Sequence, residues 1–96
     1  MPGYILSPRA LADLDDIWDY SVQRWGEGQA ETYVGNIRTA LDNLVEHPQR
    51  RRACNDIRSG YFKVAVGSHV IFYRVADTSL DVKRILHQRM DFDQHL

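Results

Sequence analysis

The sequence predicts an α+β fold in which an antiparallel sheet packs against a helical hairpin. Apolar residues recur with a period near 3.6 between residues 8 and 45, and with a period near 2 between residues 61 and 87. A short link, Gly26-Glu27-Gly28, joins the two helical segments and forces them to run antiparallel. The predicted order of elements is β-α-α-β-β-β, in one domain spanning residues 1–96.

The first strand and the first helix are marked by a change from apolar to capping residues. Tyr4-Ile5-Leu6 is a short apolar run typical of a strand. Ser7-Pro8 predicts a helix start, because serine caps free N–H groups and proline suits the first helical position. The helix is expected to end at Gly26. Its apolar face consists of Ala10, Leu14, Ile17, Trp18, Val22 and Trp25.

The second helix follows almost at once and is expected to end at Pro48, which cannot continue a helix. Its apolar face consists of Ala30, Tyr33, Val34, Ile37, Ala40, Leu41, Leu44 and Val45. Gln49 to Asn55 is then expected to form a basic loop containing Arg50-Arg51-Arg52. Three adjacent arginines suit a solvated loop, which is the simpler interpretation, or a contact with phosphate.

The second half of the chain predicts a three-stranded antiparallel meander. Tyr61 to Val66 and His69 to Val75 form two strands joined by Gly67-Ser68, a two-residue turn whose leading glycine favours type II′. Leu80 to His87 is the third strand, and Gln88 to Leu96 is a polar tail with apolar Met90, Phe92 and Leu96. Since both faces of the middle strand are apolar, it is expected to be central and covered on both sides. The helices cover one side, and a partner protein is one candidate for the other.

Composition and charge exclude several classes of protein. Hydrophobic residues at 44% and charged residues at 26% exclude a disordered tail and a coiled coil. No apolar run approaches the roughly 18 residues of a membrane span, and the N-terminus lacks the features of a signal peptide. A single cysteine, Cys54, fits a reducing compartment, so a cytoplasmic location is expected.

The charge is distributed unevenly along the chain. Residues 1–47 contain three arginines and eight acidic residues, a net charge of −5, whereas residues 48–96 contain nine basic and five acidic residues, a net charge of +4. This division suits one acidic and one basic surface, or simply two solvated faces.

Two spaced sets of residues resemble the ParE-type toxins of the RelE/ParE superfamily. The first set is Ser7-Pro8, Ala10, Asp13-Leu14, Ile17, Tyr20, Trp25-Gly26, Gln29-Ala30 and Tyr33. The second set is Gly67-Ser68-His69, Ile71-Phe72-Tyr73-Arg74, Arg84-Ile85-Leu86-His87 and Arg89-Met90-Asp91. No single piece is diagnostic, but the whole set is specific and occurs with the same order of elements.

This resemblance implies the toxin of a bacterial type II toxin–antitoxin system, of the kind linked with plasmid stabilization and stress response. ParE-type toxins act on DNA gyrase and block replication, so neither an enzymatic activity of the chain itself nor a cofactor is expected. The implied partner is a ParD-like antitoxin, which binds operon DNA through its N-terminal part and wraps the toxin with its C-terminal segment. No membrane partner is expected.

A rival hypothesis is that the chain is a metal-independent endoribonuclease, similar to the ribosome-dependent RelE enzymes. Such chemistry needs an acid, a base and cations, and the candidates are His87, Arg84 and Lys83. Strict alternation places Lys83 and His87 on one strand face and Arg84 on the other. No tyrosine follows Tyr73, so the C-terminal tyrosine common in RelE-like enzymes is absent. A third hypothesis is a non-toxic module that only binds its antitoxin.

Two binding surfaces are predicted. The target-binding surface is expected in the C-terminal region, at Arg84, His87, Arg89, Met90 and Asp91. The antitoxin-binding surface is expected on the helices and the sheet, at Leu14, Trp18, Tyr33, Ile37, Arg58 and Arg74. The apolar members of the second set serve equally well as core residues.

Other chemistry-bearing residues have simpler interpretations. The acidic row of the first helix is expected to be its solvent-exposed face: Asp13, Asp16 and Asp19. The four histidines have no ligand spacing, so no metal site is expected.

Overall fold

The structure, a computed structural model, describes residues 3–47, 50–54, 57, 59–77 and 79–96. In chain order its elements are β1 (Gly3–Leu6), α1 (Pro8–Trp25), α2 (Glu27–Glu46), β2 (Arg52–Ala53), β3 (Phe62–Val66), β4 (His69–Val75), β5 (Ser79–His87) and α3 (Phe92–His95). Within these ranges, no helix combines the length and the apolar character needed to span a bilayer. The predictions for Pro48, Gln49, Asn55 and Arg58 concern residues outside the described ranges.

α1 begins where the sequence predicts, because Ser7 caps it. The Ser7 Oγ accepts a hydrogen bond from the Ala10 N–H at 3.1 Å, and Pro8 occupies the first helical position. Gly26 separates α1 from α2 with a φ of +91°, a conformation that residues with a Cβ rarely adopt. The reversal at this glycine packs α1 against α2, as predicted for the helical hairpin.

The strands form one sheet in the order β1-β5-β4-β3-β2. The antiparallel meander of β3, β4 and β5 confirms the prediction. At one edge β1 pairs parallel with β5, with Tyr4 opposite Leu80. At the other edge β2 pairs antiparallel with β3, within the segment predicted as a loop. The loop prediction was wrong for Arg52 and Ala53, because a two-residue strand is too short to have a detectable period.

The helices bury one face of the sheet and form the helix-side core. Leu14 and Ile17 of α1 and Ile37 of α2 pack there against residues of β4 and β5. The buried members of this core are Ala10, Leu14, Ile17, Ile37, Leu41, Leu44, Ile71, Tyr73, Leu80, Val82 and Ile85. The predicted apolar faces of both helices therefore supply most of the helical half of the core.

The opposite face of the sheet, called the outer face below, is covered in part by the chain itself. Phe72 and Leu86 are buried there with Cys54, and Phe92 and Leu96 of the C-terminal segment pack against them. The ring centroids of Phe72 and Phe92 are 4.8 Å apart. The predicted polar tail thus folds back as α3, and two of its apolar residues, Phe92 and Leu96, make the contact. The C-terminal segment therefore covers part of the sheet face for which the sequence predicts a partner protein as one candidate cover.

A β-bulge changes the face pattern of β5. Along the ladder with β4 the register passes from Arg84 directly to Val82, so Lys83 is an extra residue. Consequently Val82 and Ile85 both lie in the helix-side core, although they are an odd number of positions apart. The predicted alternation of strand faces from Lys83 to His87 was therefore wrong at Lys83. A one-residue bulge cannot be detected from the apolar pattern of the sequence.

Candidate functional site

Arg84, predicted as a target-binding or catalytic residue, is held by Asp13 of α1. Its Nε and Nη2 donate hydrogen bonds to the two Asp13 carboxylate oxygens at 2.7 and 2.9 Å. Its Nη1 donates to the carbonyl of His95 at 3.0 Å. The hydrogen bond from Arg84 to Asp13 raises the pKa of Arg84, so the guanidinium stays charged. Arg84 therefore ties α1, β5 and the C-terminal segment together.

Asp13 also accepts a hydrogen bond from a backbone N–H at the edge of β5. Its Oδ2 accepts a hydrogen bond from the Ile85 N–H at 2.9 Å, at a point beyond the end of the β1 pairing. The predicted solvent-exposed row is confirmed for Asp16 and Asp19 and was wrong for Asp13, which is half-buried. A signal was present in the sequence, because Asp13 lies four residues before the core residue Ile17 and so stands beside it on the helix.

A groove lies between the C-terminal half of α1 and the turn that joins β3 to β4, and we call it the histidine groove. It has a volume of about 240 Å³ and is lined by Tyr20, Ser21, Arg24, Trp25, Tyr33, Ser68, His69 and His87. A neighbouring depression of about 330 Å³ extends it past Ile17 to Asp16. Sequence reasoning missed this assembly, because its residues come from four elements far apart in the chain.

Tyr33 fixes one wall of the histidine groove. Its hydroxyl accepts a hydrogen bond from the Ser68 N–H at 3.0 Å and lies 2.6 Å from Nδ1 of His69. A Cβ at Gly67 would lie 2.7 Å from the Tyr33 ring, so the turn needs glycine for this close approach. The Gly67 φ of +57° agrees with the predicted type II′ turn.

The two histidines of the groove lie side by side. Their ring centroids are 5.4 Å apart and the rings are nearly perpendicular. Burial lowers the pKa of His69, the neighbouring His87 lowers it further, and Asp13 opposes both effects. His69 is therefore neutral near neutral pH, and its Nδ1 shares a hydrogen bond with the Tyr33 hydroxyl. The groove thus offers a partner a neutral imidazole ring beside the aromatic rings of Tyr20, Trp25 and Tyr33.

Four of the five predicted target-binding residues lie together at the end of β5. The Arg89 N–H donates at 3.2 Å to the Nδ1 of His87, a residue that lines the histidine groove. Arg89, Met90 and Asp91 are exposed. Arg84 differs from these residues, because its guanidinium is engaged within the molecule.

Two of the three candidate nuclease residues, His87 and Arg84, have different side-chain surroundings. His87 lines the histidine groove, whereas the Arg84 nitrogens contact Asp13 and the backbone of the C-terminal segment. The Lys83 carbonyl accepts a hydrogen bond from the Ser7 Oγ at 2.9 Å, at the start of α1. Across the described ranges, no cluster of three or more histidine, cysteine or carboxylate side chains is placed to hold a metal ion.

The predicted antitoxin-binding residues divide between the core and the surface. Leu14 and Ile37 are 7% and 0% exposed and belong to the helix-side core. Trp18 and Tyr33 are partly exposed, and Arg74 is exposed near the end of β4. The structure therefore leaves Trp18, Tyr33 and Arg74 at least partly accessible to a partner. It places Leu14 and Ile37 beneath the surface.

An apolar stripe, which we call the α1 stripe, lies beside the core-facing side of α1. Leu11, Trp18, Val22 and Trp25 recur at intervals of seven, four and three residues, which places them on one side of the helix. Leu11 and Trp25 are 49% and 55% exposed. The sequence predicts that Trp25 belongs to the core or to a groove for a partner, and its exposure excludes the core. Exposed aromatic and aliphatic residues in such an arrangement are typical of protein interfaces.

Comparison with known sequences identifies relatives along the whole chain. Residues 4–92 match the model of a family described as ParE toxin of type II toxin-antitoxin system, parDE. The chain is 49% identical over 94 residues to Toxin ParE1 of Mycobacterium tuberculosis, covering 97% of this chain and 96% of that protein. It is 46% identical over 96 residues to Toxin ParE1 of Caulobacter vibrioides, covering 100% and 99% respectively.

Comparison with solved structures supports the architecture independently. A structure described as the chromosomal ParDE TA system from P. aeruginosa superposes with a TM-score of 0.77 at 21% identity. The superposition covers 91% of this chain and 96% of that chain. At this level of identity the likeness concerns the fold, and it confirms the predicted α+β arrangement.

Proposed function

The chain belongs to the ParE toxin family of type II toxin–antitoxin systems, and from this premise we propose that it inhibits DNA gyrase and blocks replication. A ParD-like antitoxin neutralises it and connects the complex to operon DNA. The main support is the family match over residues 4–92, to which the relatives at 49% and 46% identity add. Gyrase and antitoxin both act in the bacterial cytoplasm, so this is also the proposed location of the toxin.

The α1 stripe is the proposed docking surface for the antitoxin. Its partly exposed Trp18 and Trp25 suit the apolar face of a helix or an extended segment, a common mode of peptide recognition. Leu14 and Ile37 support this surface from the core. Tyr33, Arg58 and Arg74 remain proposed antitoxin contacts. The description of the structural relative as a ParDE system supports a partner of this type.

The end of β5 is the proposed target-binding surface. His87 faces the histidine groove, and Arg89, Met90 and Asp91 are exposed beside it. This surface combines a cation, an anion and an exposed thioether, which suits a protein target better than a nucleic acid alone. Arg84 contributes by holding the C-terminal segment in place through its hydrogen bond to the His95 carbonyl.

Gyrase inhibition is favoured over RNA cleavage by the position of Arg84. A cation that stabilises a phosphate transition state must reach the substrate. Here the Arg84 Nε and Nη2 face Asp13 and the Nη1 faces a backbone carbonyl. His87 therefore lacks the arginine partner that the ribonuclease hypothesis assigns to it.

The proposal is tested by expressing the chain alone in a bacterial host. Growth, a DNA-damage reporter and protein synthesis are recorded together after induction. Growth arrest in which the damage signal rises before translation falls is the expected result. Translation that collapses first would favour the ribonuclease, and normal growth with soluble protein present would favour a non-toxic antitoxin-binding module.

Two variants separate the two proposed surfaces. Arg89→Glu with Met90→Ser should abolish growth arrest while leaving antitoxin binding intact. Leu11→Ser with Trp25→Ser should keep growth arrest but prevent rescue by a co-expressed ParD-like antitoxin. If each pair changed both properties equally, the assignment of separate surfaces would be wrong. Circular dichroism of each variant checks that it folds.

A further inference from the structure

A second groove, called the outer groove below, lies on the outer face of the sheet. It has a volume of about 350 Å³ and lies between α3 and the edge formed by β2 and β3. Three cations and an apolar floor line it: Arg50, Arg52, Lys63, Ala65, Val70 and Phe92. Among the residues that the structure describes, no acidic side chain lines this groove.

We propose that the outer groove binds an acidic, extended segment of a partner protein. Aliphatic side chains of the segment enter the groove, and its carboxylates face the arginine and lysine side chains. This inference goes beyond the proposed function, because it concerns the layer opposite the α1 stripe and a surface that neither the antitoxin nor the gyrase proposal uses.

The fold brings the three positive charges of the outer groove close together. Arg52 and Lys63 occupy directly opposite positions in the β2–β3 ladder, where like charges destabilise strand pairing. Arg50 adds a third charge, and its Nη1 donates to the Asn43 Oδ1 at 2.5 Å, which positions the guanidinium without neutralising it. A bound carboxylate relieves this repulsion, so the strand edge is prepared for an anionic partner.

The middle arginine of the run has a different task. Arg51 Nε donates to the Leu44 carbonyl at 3.3 Å and so satisfies the C-terminal end of α2. The three consecutive arginines are therefore not equivalent. Arg50 and Arg52 line the outer groove, while Arg51 fastens this segment to the helix.

The floor of the groove is apolar and preformed. Ala65 is small and exposed, which leaves a depression beside Val70 and Phe92. Phe92 is held by its contact with Phe72, whose ring centroid is 4.8 Å away. An apolar floor beside a cationic rim suits a peptide that alternates aliphatic and acidic residues, because alternate side chains of an extended segment point in opposite directions.

The charges beyond the groove favour a peptide over a nucleic acid. Asp91 and Asp93 flank Phe92 in sequence and are exposed. A nucleic-acid backbone has a negative charge at every residue, so part of it would meet these carboxylates. A peptide with acidic side chains along one edge only avoids them. β2 is also the outermost strand of the sheet, so an extended segment can lie beside it.

The proposal is tested by fluorescence anisotropy with the full chain and a labelled ten-residue peptide of alternating glutamate and valine. A lysine–valine peptide of the same length and a ten-nucleotide single-stranded DNA serve as comparison probes. Binding of the acidic peptide with a Kd of about 10–100 μM, weakened by added salt, is expected. The two comparison probes should bind at least about tenfold more weakly.

Matched variants locate the binding. Arg52→Glu with Lys63→Glu should weaken peptide binding by at least about tenfold. Arg9→Glu with Arg38→Glu makes the same change of charge on exposed helical positions and should leave the affinity within about twofold. Ala65→Leu should weaken binding by filling the groove without a charge change, whereas Ala12→Leu on α1 should not. Thermal unfolding monitors the fold of every variant.

Several results would overturn the proposal. They are absence of peptide binding up to about 1 mM, equal losses in the two charge-reversed variants, or tighter binding of the DNA than of the peptide. A wild-type dimer that Arg52→Glu with Lys63→Glu disperses would assign the groove to a second copy of the chain instead. None of these results bears on growth arrest, so failure here leaves the proposed function standing.

Discussion

At the scale of single residues, Asp13 connects more of the molecule than its position on a helix surface suggests. Its carboxylate accepts hydrogen bonds from the Arg84 side chain and from the Ile85 N–H. The Asp13 and Arg84 side chains are 14% and 13% exposed, so water competes little for these contacts. The helix is thereby fixed to the edge of the sheet beside the proposed target-binding surface.

Replacing Asp13 with asparagine tests this connection. Asp13→Asn keeps the size of the side chain but removes its charge and one acceptor, so the free energy of unfolding should fall by about 1–3 kcal/mol. Urea denaturation measures the change. Asp15→Asn, at an exposed position of the same helix, is the matched control and should stay within about 0.5 kcal/mol of wild type. Similar losses in both variants would contradict the assigned role.

His69 should make the stability of the fold depend on pH. Its pKa is lowered from the ordinary value of 6.5 in the folded chain, first by burial and then by His87. As the pH falls through 6.5, the His69 imidazole of the unfolded chain is protonated before that of the folded chain. His69 therefore favours the folded state fully above its ordinary pKa, and this contribution is lost as the pH falls towards the folded-state pKa.

The midpoint temperature of unfolding measures this effect. Between about pH 7.5 and pH 5.5 it should fall more for wild type than for His69→Asn, which retains an acceptor for the Tyr33 hydroxyl but does not titrate. His47→Asn, at the end of α2, should keep the wild-type dependence. If His69→Asn lost as much stability as wild type over this range, another group would have to be responsible.

At the scale of elements, the β3–β4 turn is shaped by what packs over it. Tyr33 of α2 lies against the turn and binds Ser68 and His69. The positive φ of Gly67 and the closeness of the Tyr33 ring act together, because each disfavours a side chain at this position. The position of Tyr33, which forms one wall of the histidine groove, therefore depends on Gly67 in the β3–β4 turn.

Gly67→Ala should disturb both the turn and the groove. A Cβ would force Tyr33 away from His69, so the free energy of unfolding should fall by about 1–3 kcal/mol. Urea denaturation measures the loss, and the His69 imidazole resonances in NMR spectra should shift. Gly28→Ala, in the first turn of α2 where a Cβ meets nothing within 4 Å, should be neutral or stabilising. A neutral Gly67→Ala would show that the turn tolerates a side chain.

At the scale of the whole molecule, β1 and the start of α1 connect the two ends of the chain. The Ser7 N–H donates to the Val82 carbonyl at 2.9 Å. The Ser7 Oγ donates to the Lys83 carbonyl at 2.9 Å and also accepts from the Ala10 N–H. One serine therefore both begins a helix and fastens it to the last strand.

Ser7→Ala should lower the stability of the molecule as a unit. The loss of the cap and of the bond to Lys83 should reduce the free energy of unfolding by about 1–2 kcal/mol. Tryptophan fluorescence, which reports on α1, and far-ultraviolet circular dichroism should shift together in urea. Ser59→Ala, at an exposed position, should leave both transitions unchanged. A shift in fluorescence alone would mean that only the helix had loosened.

Much of the site depended on information that a single sequence does not contain. Tyr33 and His87 were named from the resemblance, but their meeting with His69 and Tyr20 follows from how the helices lie on the sheet. The bulge at Lys83 and the two-residue β2 are too short to alter an apolar pattern. Likewise, nothing in the order of residues distinguishes Arg51, which binds the end of α2, from Arg52 beside it.

The sequence by itself determined the α+β class, the helical hairpin and the three-stranded meander, because apolar periodicity, the Ser7-Pro8 cap and the Gly26 and Gly67 turns are local. Its two sets of family residues also identified the toxin family. Only the tertiary structure decided that β1 lies parallel to β5, that α3 covers part of the outer face and that Asp13 faces Arg84. These outcomes depend on contacts between residues far apart in the chain, which are selected by packing and hydrogen bonding.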